Sequence, residues 1–586
     1  MDSFSRLMLL TSVLPQASRA QAAGSRFLGM LLLATMVACS VPGPAPRASD
    51  GSVVSPSREA NTRRALTMAI SREPTSLEPS LQPQNREWSA LGSGFLAYFS
   101  PNQAGPVPYL AKELPSTEKG TWRVLPDGRM ETTYTLKENA TWHDGQPITA
   151  QDWVFGYTVR TDPDFPGHSV DVERRLARVV AVDDHTLFLE WPGPYLWAGM
   201  IHLPDFPPLP RHTLEPMYLQ DRASFFDGPQ WREEFVGSGP FRVVSWEPGV
   251  ELVFKAHESF VLGKPGLDEI RVRFLADANT IVANLLSGNL DMSFSTTIGF
   301  PQGEALEQTG WNGTVEYWPG LPRYIEYQGR DWGNTQPAVF DARVRRASNY
   351  AIDRASIADV VYGGHARVAY YWLSPIDPAY PAVDKAVPKY AYDPNRAQAL
   401  LSESGWVKSD DGRARNPDGQ PLSLPMQNLP SDAYRLEAAV VIDNWKSVGI
   451  TSEEIRLSPQ EWTDNEIRSK SPAVSYNSRN LNLENMVWTA ANVSRPEVRW
   501  SGQNRNGYVN PRLDELWDKV LGASIDSSER EGLLVDAIKI MMDDAMVVLT
   551  HITPDVMAYP ADLAGPTQPA VIDTSRIWNI WEWRWK

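Results

Sequence analysis

The sequence predicts an α/β protein of several domain equivalents, and three observations carry that prediction. Residues 127–157 read as a complete turn, strand, turn and capped helix. Strands with period-two alternation recur along the chain with helix-period stretches between them. The length of 586 residues, with 42% hydrophobic and 22% charged side chains, is ordinary for folded globular protein and corresponds to roughly three to four domain equivalents.

In the first unit, Asp127-Gly128 follows Pro126 and marks a turn. From Glu131 to Lys137 the residues alternate: Thr132, Tyr134 and Leu136 share one face, and Glu131, Thr133 and Lys137 the other. That is the pattern of a half-buried strand. Asp144-Gly145 makes the next turn. Thr149 and Asp152 stand at capping-box spacing, so a helix follows with Trp153, Gly156 and Tyr157 near one face. His143-Asp144 in this turn has the composition of an acid–base dyad, but Asp-Gly there is read as turn chemistry.

Composition excludes several functions. The net charge is −16 and no Lys/Arg block exceeds a pair, which argues against a nucleic-acid partner. Cys39 is the single cysteine, so no disulfide forms within the chain and no thiol pair or Cys-based zinc site exists. The eight histidines are scattered, and no metal or cofactor is expected. The 22 Trp and 20 Tyr supply core and can line a ligand cleft.

Residues 1–39 read as a secretory signal. Arg6, Arg19 and Arg26 precede an apolar run from Phe27 to Ala38, which is too short to span a membrane as a permanent helix. Ala38-Cys39 resembles a lipobox, so Cys39 is expected to be lipidated. Residues 40–62 are rich in Pro, Ser, Ala and Gly and read as a flexible tether.

The body opens with alternating Leu66, Met68 and Ile70, broken by Glu73-Pro74. Thr186–Glu190 is another strand. Val236-Gly237-Ser238-Gly239-Pro240 is a turn whose glycines allow positive φ or close backbone approach. A hairpin follows (Phe241–Trp246, then Glu251–Phe254), then the strand Ile270, Val272, Phe274 and a helix over Asn279–Leu286 stopped by Gly288. Later, Val344, Ala347 and Ala351 stand at helical spacing, and Asp353 caps a further helix ending at Gly363-Gly364. Helices are expected at Ala438–Gly449 and from Leu513 to Met546. The aromatic end, Ile577–Trp585, is expected to pack back on the first half.

The segment YTLKENATWHDGQPITAQDWVFGY resembles the signature of the family 5 solute-binding proteins of ABC importers, which bind peptides, nickel or oligosaccharides. Further matches stand in order at Gly237–Phe241, Asp341–Arg354, Tyr392–Trp406 and Gly507–Asp514, so the resemblance runs over about residues 64–560. It implies an α/β, two-lobed periplasmic-binding-protein (class II) fold with an extra inserted domain. The implied division is a first lobe at 63–320 with the insertion at about 95–230, a second lobe at 321–550, and a return at 551–586. Two crossings between lobes, near Tyr317 and near His551, would form the hinge.

By the same resemblance the chain captures a ligand between its lobes and hands it to ABC permease subunits. It works outside the cytoplasm, is lipid-anchored, needs no cofactor and is expected to be a monomer. A secreted hydrolase is the weaker reading, since neither G-x-S-x-G nor H-E-x-x-H is present. Peptide is the family default. Peptide binders of the family place an Asp on the peptide amine, and dipeptide binders also carry an Arg for the peptide carboxylate; the matching stretches here, Asn485–Glu497 and Met426-Gln427-Asn428, carry neither. That leaves a longer peptide, with an oligosaccharide as the alternative. The expected ligand-binding residues are Tyr324, Tyr371, Trp372, Gln427, Asn428, Trp488, Asn492, Arg495 and Trp500. Tyr370 is a further aromatic candidate. Arg495 would hold a carboxylate or phosphate, and Trp488 would stack on a sugar or an apolar side chain.

Overall fold

The computed structural model describes residues 64–81, 86–102, 105–166, 171–193, 195, 197–202, 205–293, 297–375, 377–479, 487–522, 528–569 and 575–586. All belong to one compact unit. Cys39, the tether, and Asn485-Met486 of the expected binding segment lie outside the described residues.

One sheet of eleven strands organises the molecule. At its centre two long strands, Gly313–Tyr327 and Val547–Pro560, pair antiparallel along almost their whole length. On one side stand Met292–Ser293, Ala65–Ile70, Glu269–Phe274 and the hairpin Glu251–Ala256 with Phe241–Glu247. On the other stand Val474–Ser478, Met426–Asn428 and Glu454–Arg456, and the eleventh strand, Arg367–Val368, pairs with Val547–Pro560 off this path. Each half has its own core. Leu66, Met68, Phe254, Ile270, Val272, Ile580 and Trp583 pack together in the first, and Ile325, Val344, Ala347, Ile357, Ala438, Trp445 and Ile538 in the second. Full burial of each large apolar side chain stabilises by roughly 1.5–3 kcal/mol.

The two central strands carry the only covalent continuity through the sheet between the halves among the described residues, and their pairing is irregular there. The ladder slips between Pro319 and Pro322 and again between Arg323 and Tyr324. Pro319 and Pro322 cannot donate ladder hydrogen bonds. Gly320 sits where a Cβ would meet the Asp555 carboxylate at 2.5 Å. Proline and glycine opposite Thr553-Pro554 make a local joint in an otherwise paired ribbon.

A separate five-stranded sheet is built from Ala111–Glu113, Trp122–Val124, Met130–Leu136, Arg178–Asp183 and Thr186–Trp191. Its Met130–Leu136 strand alternates buried and half-buried residues along its length. The helix Ala150–Arg160 begins where Asp152 Oδ2 accepts the Thr149 amide at 2.7 Å. Trp142, Trp153 and Trp191 are fully buried beneath this sheet. The glycines of the 237–239 turn serve close approach: a Cβ on Gly237 would lie 1.9 Å from Gly92 O, and one on Gly239 2.5 Å from Ser93 N. At the C-terminus, Trp583 joins the first-half core, Trp578 and Trp581 join the core under the five-stranded sheet, and Trp585 Nε1 donates to Ala65 O at 3.2 Å.

Candidate functional site

Strand direction locates the site. In the first half, Ala65–Ile70, Glu269–Phe274 and Met292–Ser293 are mutually parallel, and they run the same way as Gly313–Tyr327 because both border Val547–Pro560 antiparallel. Their carboxyl ends therefore point toward the crossing. In the second half, Met426–Asn428, Glu454–Arg456 and Val474–Ser478 are parallel to one another and antiparallel to Gly313–Tyr327. Their carboxyl ends point toward the crossing from the opposite side. Open α/β sheets take ligands in the crevice outside the carboxyl ends of their strands, and here two such edges are opposed across the joint at Pro319–Pro322.

Alternation then sorts the second-half residues onto two faces. Tyr324 and Glu326 share a face, opposite Asn477 and Ser475 respectively, and Ser475 pairs in turn with Gln427. Glu326 is the polar centre of this face: Oε1 accepts from Trp488 Nε1 at 2.8 Å and Oε2 from Asn477 Nδ2 at 3.0 Å. Burial pushes its carboxyl pKa up, against the opposing pull of the Trp488 bond and of Arg505, Arg479 and Arg468. The other face carries Arg323, whose guanidinium meets buried Glu437.

The structure brings some of the expected residues together and separates others. Tyr324, Trp372 and Trp488 form one edge-to-face cluster, with ring centroids 5.2, 5.5 and 4.3 Å apart. All three are buried, so they wall the polar face without offering an open platform. Gln427 lies beside them, its Nε2 donating to Ile467 O at 3.3 Å. Asn428 falls on the opposite face and is committed to Tyr434 O and Glu454 Oε1, each at 3.0 Å. Tyr371 is a core residue whose hydroxyl donates to Val387 O at 2.7 Å. Tyr370 lies under the Arg354 guanidinium. Asn492 and Arg495 are exposed, Arg495 with Glu497 at 3.7 Å. Half-buried Trp500 packs on Trp332, with Lys470 Nζ 5.3 Å from its ring.

Sequence reasoning missed Glu326, Asn477 and three arginines near them: Arg468, Arg479 and Arg505. Glu326 was recoverable, since it stands two residues from Tyr324 on the same predicted strand. Arg479 directly follows the carboxyl end of Val474–Ser478. Arg468 and Arg505 come from a short helix and a loop, and no local pattern connects them.

The sequence-predicted turn at His143-Asp144 holds no dyad. His143 Nδ1 accepts from Gly237 N at 3.1 Å, so its Nε2 carries the proton that meets Gly239 O at 3.1 Å. Burial, followed by the neighbouring His257, pulls its pKa down to about 3 and keeps it neutral. Asp144 pairs with His212 instead, at 2.6 Å. A polar groove of about 560 Å³ opens beside this turn, lined by His143, Arg242, Lys255, His257 and Glu269; it lies outside the crevice between the carboxyl edges.

Comparison with known proteins agrees with this architecture. Residues 105–501 match the family described as bacterial extracellular solute-binding proteins, family 5. The oligopeptide-binding protein AppA of Bacillus subtilis is 27% identical over 341 residues, which is 58% of this chain and 60% of AppA, so the match spans less than two thirds of that relative's length. Two solved structures share the fold. One is AppA from Bacillus subtilis in complex with a nonapeptide (TM-score 0.68, 21% identity, 90% of this chain and 100% of that one). The other is NikZ from Campylobacter jejuni in complex with Ni(L-His) (TM-score 0.71, 21% identity, 89% and 99%). With a family match across most of its length and a two-lobed fold shared with these structures, the chain belongs to the family 5 bacterial extracellular solute-binding proteins.

Proposed function

We propose that the protein is the extracytoplasmic ligand-capturing component of an ABC importer, that its ligand is a peptide longer than a dipeptide, and that it delivers this ligand to permease subunits in the membrane. The single observation that carries the reading is the opposed pair of carboxyl edges across a joint made of two antiparallel strands. A ligand touching both edges favours the closed arrangement by its differential contacts, which is hinge closure.

The peptide assignment has three supports. Family relatives include a protein named for oligopeptides. The position of the dipeptide-carboxylate Arg is taken by Gln427-Asn428, and Asn428 is already committed to protein partners. Of the five rings proposed for sugar contact, Tyr371, Trp372 and Trp488 are buried and Tyr370 and Trp500 half-buried, which weakens the case for an oligosaccharide. A small metal chelate, as named for NikZ, is the second reading. The lobes are taken as 63–320, with the insertion at about 95–230, and 321–550, with 551–586 returning to the first. Cys39 is taken as the lipid-anchored N-terminus of a monomeric mature protein. Calorimetry with seven-residue peptides tests the assignment. Binding that is lost on shortening to a dipeptide supports it, and a dipeptide as the tightest ligand contradicts it.

A further inference from the structure

Among the described residues, the polar face of the second half carries more positive charge than its carboxylates neutralise. Arg479 Nη2 and Arg505 Nη2 share one neutral acceptor, Gln503 Oε1, at 2.8 and 3.2 Å. Arg505 Nη2 has a second neutral partner, Asn465 Oδ1, at 3.2 Å. The Nε–H groups of both arginines are buried without a protein acceptor. Arg468 lies over the Trp462 ring at 3.4 Å, and among the described residues its guanidinium has no carboxylate or carbonyl acceptor. Against these three cations the face supplies, among the described residues, one carboxylate, Glu326, whose oxygens are already bonded by Trp488 and Asn477. Nearby acids are spent elsewhere: Glu466 holds Lys470 and Glu497 stands by Arg495.

The electrostatics agree with the geometry. Burial, followed by Arg505, pulls the Arg468 pKa down to about 9. Burial is also the largest cause of the lowered value at Arg505, with Arg479 adding repulsion. Arg468 and Arg505 are partly desolvated and Arg479 repels both, an arrangement that disfavours the ligand-free protein. Such an arrangement is stabilised when an anion bridges them, because guanidinium forks bind carboxylates by short charge-assisted bonds.

We propose that Arg468, Arg479 and Arg505 form a carboxylate-binding subsite of the ligand crevice, so that the protein selects ligands bearing carboxylates. This rests on the ligand-capture reading above. The carboxylate has two possible sources: a peptide, through its C-terminus or acidic side chains, or a metal chelate of an amino acid. Arg479, directly after the carboxyl end of its strand, places the subsite at the crevice edge.

The test uses Arg468→Gln, Arg479→Gln and Arg505→Gln, singly and together, and two probes. The first is an equimolar pool of seven-residue peptides on one neutral background, carrying two Glu, two Lys or neither, each as free acid and as C-terminal amide. The second is nickel–L-histidine. Retained peptides are read by mass spectrometry, chelate binding by calorimetry, and the melting temperature of the ligand-free protein is recorded for every variant. The expected result is retention of acid-bearing peptides over their amide or Lys counterparts by at least about tenfold. The triple variant loses that preference, and Arg468→Gln melts no lower than the wild type, since it removes a repulsive charge. An arginine with a purely structural role would melt lower on substitution. Peptide retention without charge preference, or a preference that survives in the triple variant, overturns the subsite and leaves peptide capture standing. Chelate binding that the arginine variants abolish, with no peptide retained, supports the subsite and overturns the peptide reading. Binding of neither probe overturns both.

Discussion

Arg323 and Glu437 form a buried pair directly beyond the joint: Arg323 Nε donates to both carboxylate oxygens of Glu437, at 3.1 and 2.9 Å. Arg323 belongs to the first crossing strand and Glu437 to the helix Asp432–Ser447. The Tyr362 hydroxyl also donates to Glu437, and His551 of the second crossing strand approaches it at 3.6 Å. One carboxylate thus ties the first crossing strand to the second-half core and lies beside the second.

Replacing Glu437 by Gln leaves the buried Arg323 charge unpaired, which costs about 3–5 kcal/mol. Denaturant unfolding at neutral pH measures the loss. The pH dependence has a defined sign. Burial acts to raise the Glu437 pKa, but Arg323, His551 and Tyr362 outweigh it and hold the group at about 2. A carboxylate depressed in the folded state stabilises above its unfolded pKa, and the contribution fades as pH falls toward the folded value. The stability gap between wild type and Glu437→Gln is therefore full above about pH 4.5 and shrinks toward pH 2. A gap that stays constant over that window would show that the pair carries no such linkage.

Gly237→Ala is expected to destabilise by at least about 2 kcal/mol, because its Cβ would overlap the Gly92 carbonyl. Thermal unfolding checks it. An unchanged melting temperature would mean that this turn is free to move away from Gly92.

Trp488→Ala removes a fully buried ring and the bond it donates to Glu326, with an expected cost of about 3–5 kcal/mol. Arg495→Ala breaks only an exposed contact with Glu497 and is expected to change stability by less than about 0.5 kcal/mol. Parallel melts of the two variants separate the buried residue from the surface one; equal losses would contradict both placements.

Cys39→Ser should release the protein from membranes on fractionation. A variant that stays with the membrane rules out Cys39 as the anchor point.

The parts of this molecule that were legible in the sequence are those governed by local rules. Alternation in Leu66–Ile70 and Glu131–Lys137, the Thr149/Asp152 start and the Asp353-to-Gly363 helix all follow from neighbours within a few residues. The Asp353 carboxylate indeed accepts the Ser356 amide, and Gly363 takes the left-handed conformation that ends the helix. The site depends on non-local facts. An aromatic composition does not distinguish a stacking platform from a wall, and burial places Trp488 and Trp372 in the wall. Asn492, Arg495 and Trp500 follow Trp488 in sequence, yet their loop leaves the first two in solvent. Arg468, Arg479 and Arg505 meet only because a short helix, a strand end and a loop converge on one sheet face.

Small-angle X-ray scattering measures whether ligand bound at the opposed carboxyl edges closes the two halves about Pro319–Pro322. The protein is measured alone and with a saturating concentration of the tightest seven-residue peptide, with saturation established by calorimetry. A smaller radius of gyration is expected in the bound state. An identical radius for the free and fully bound protein would contradict it.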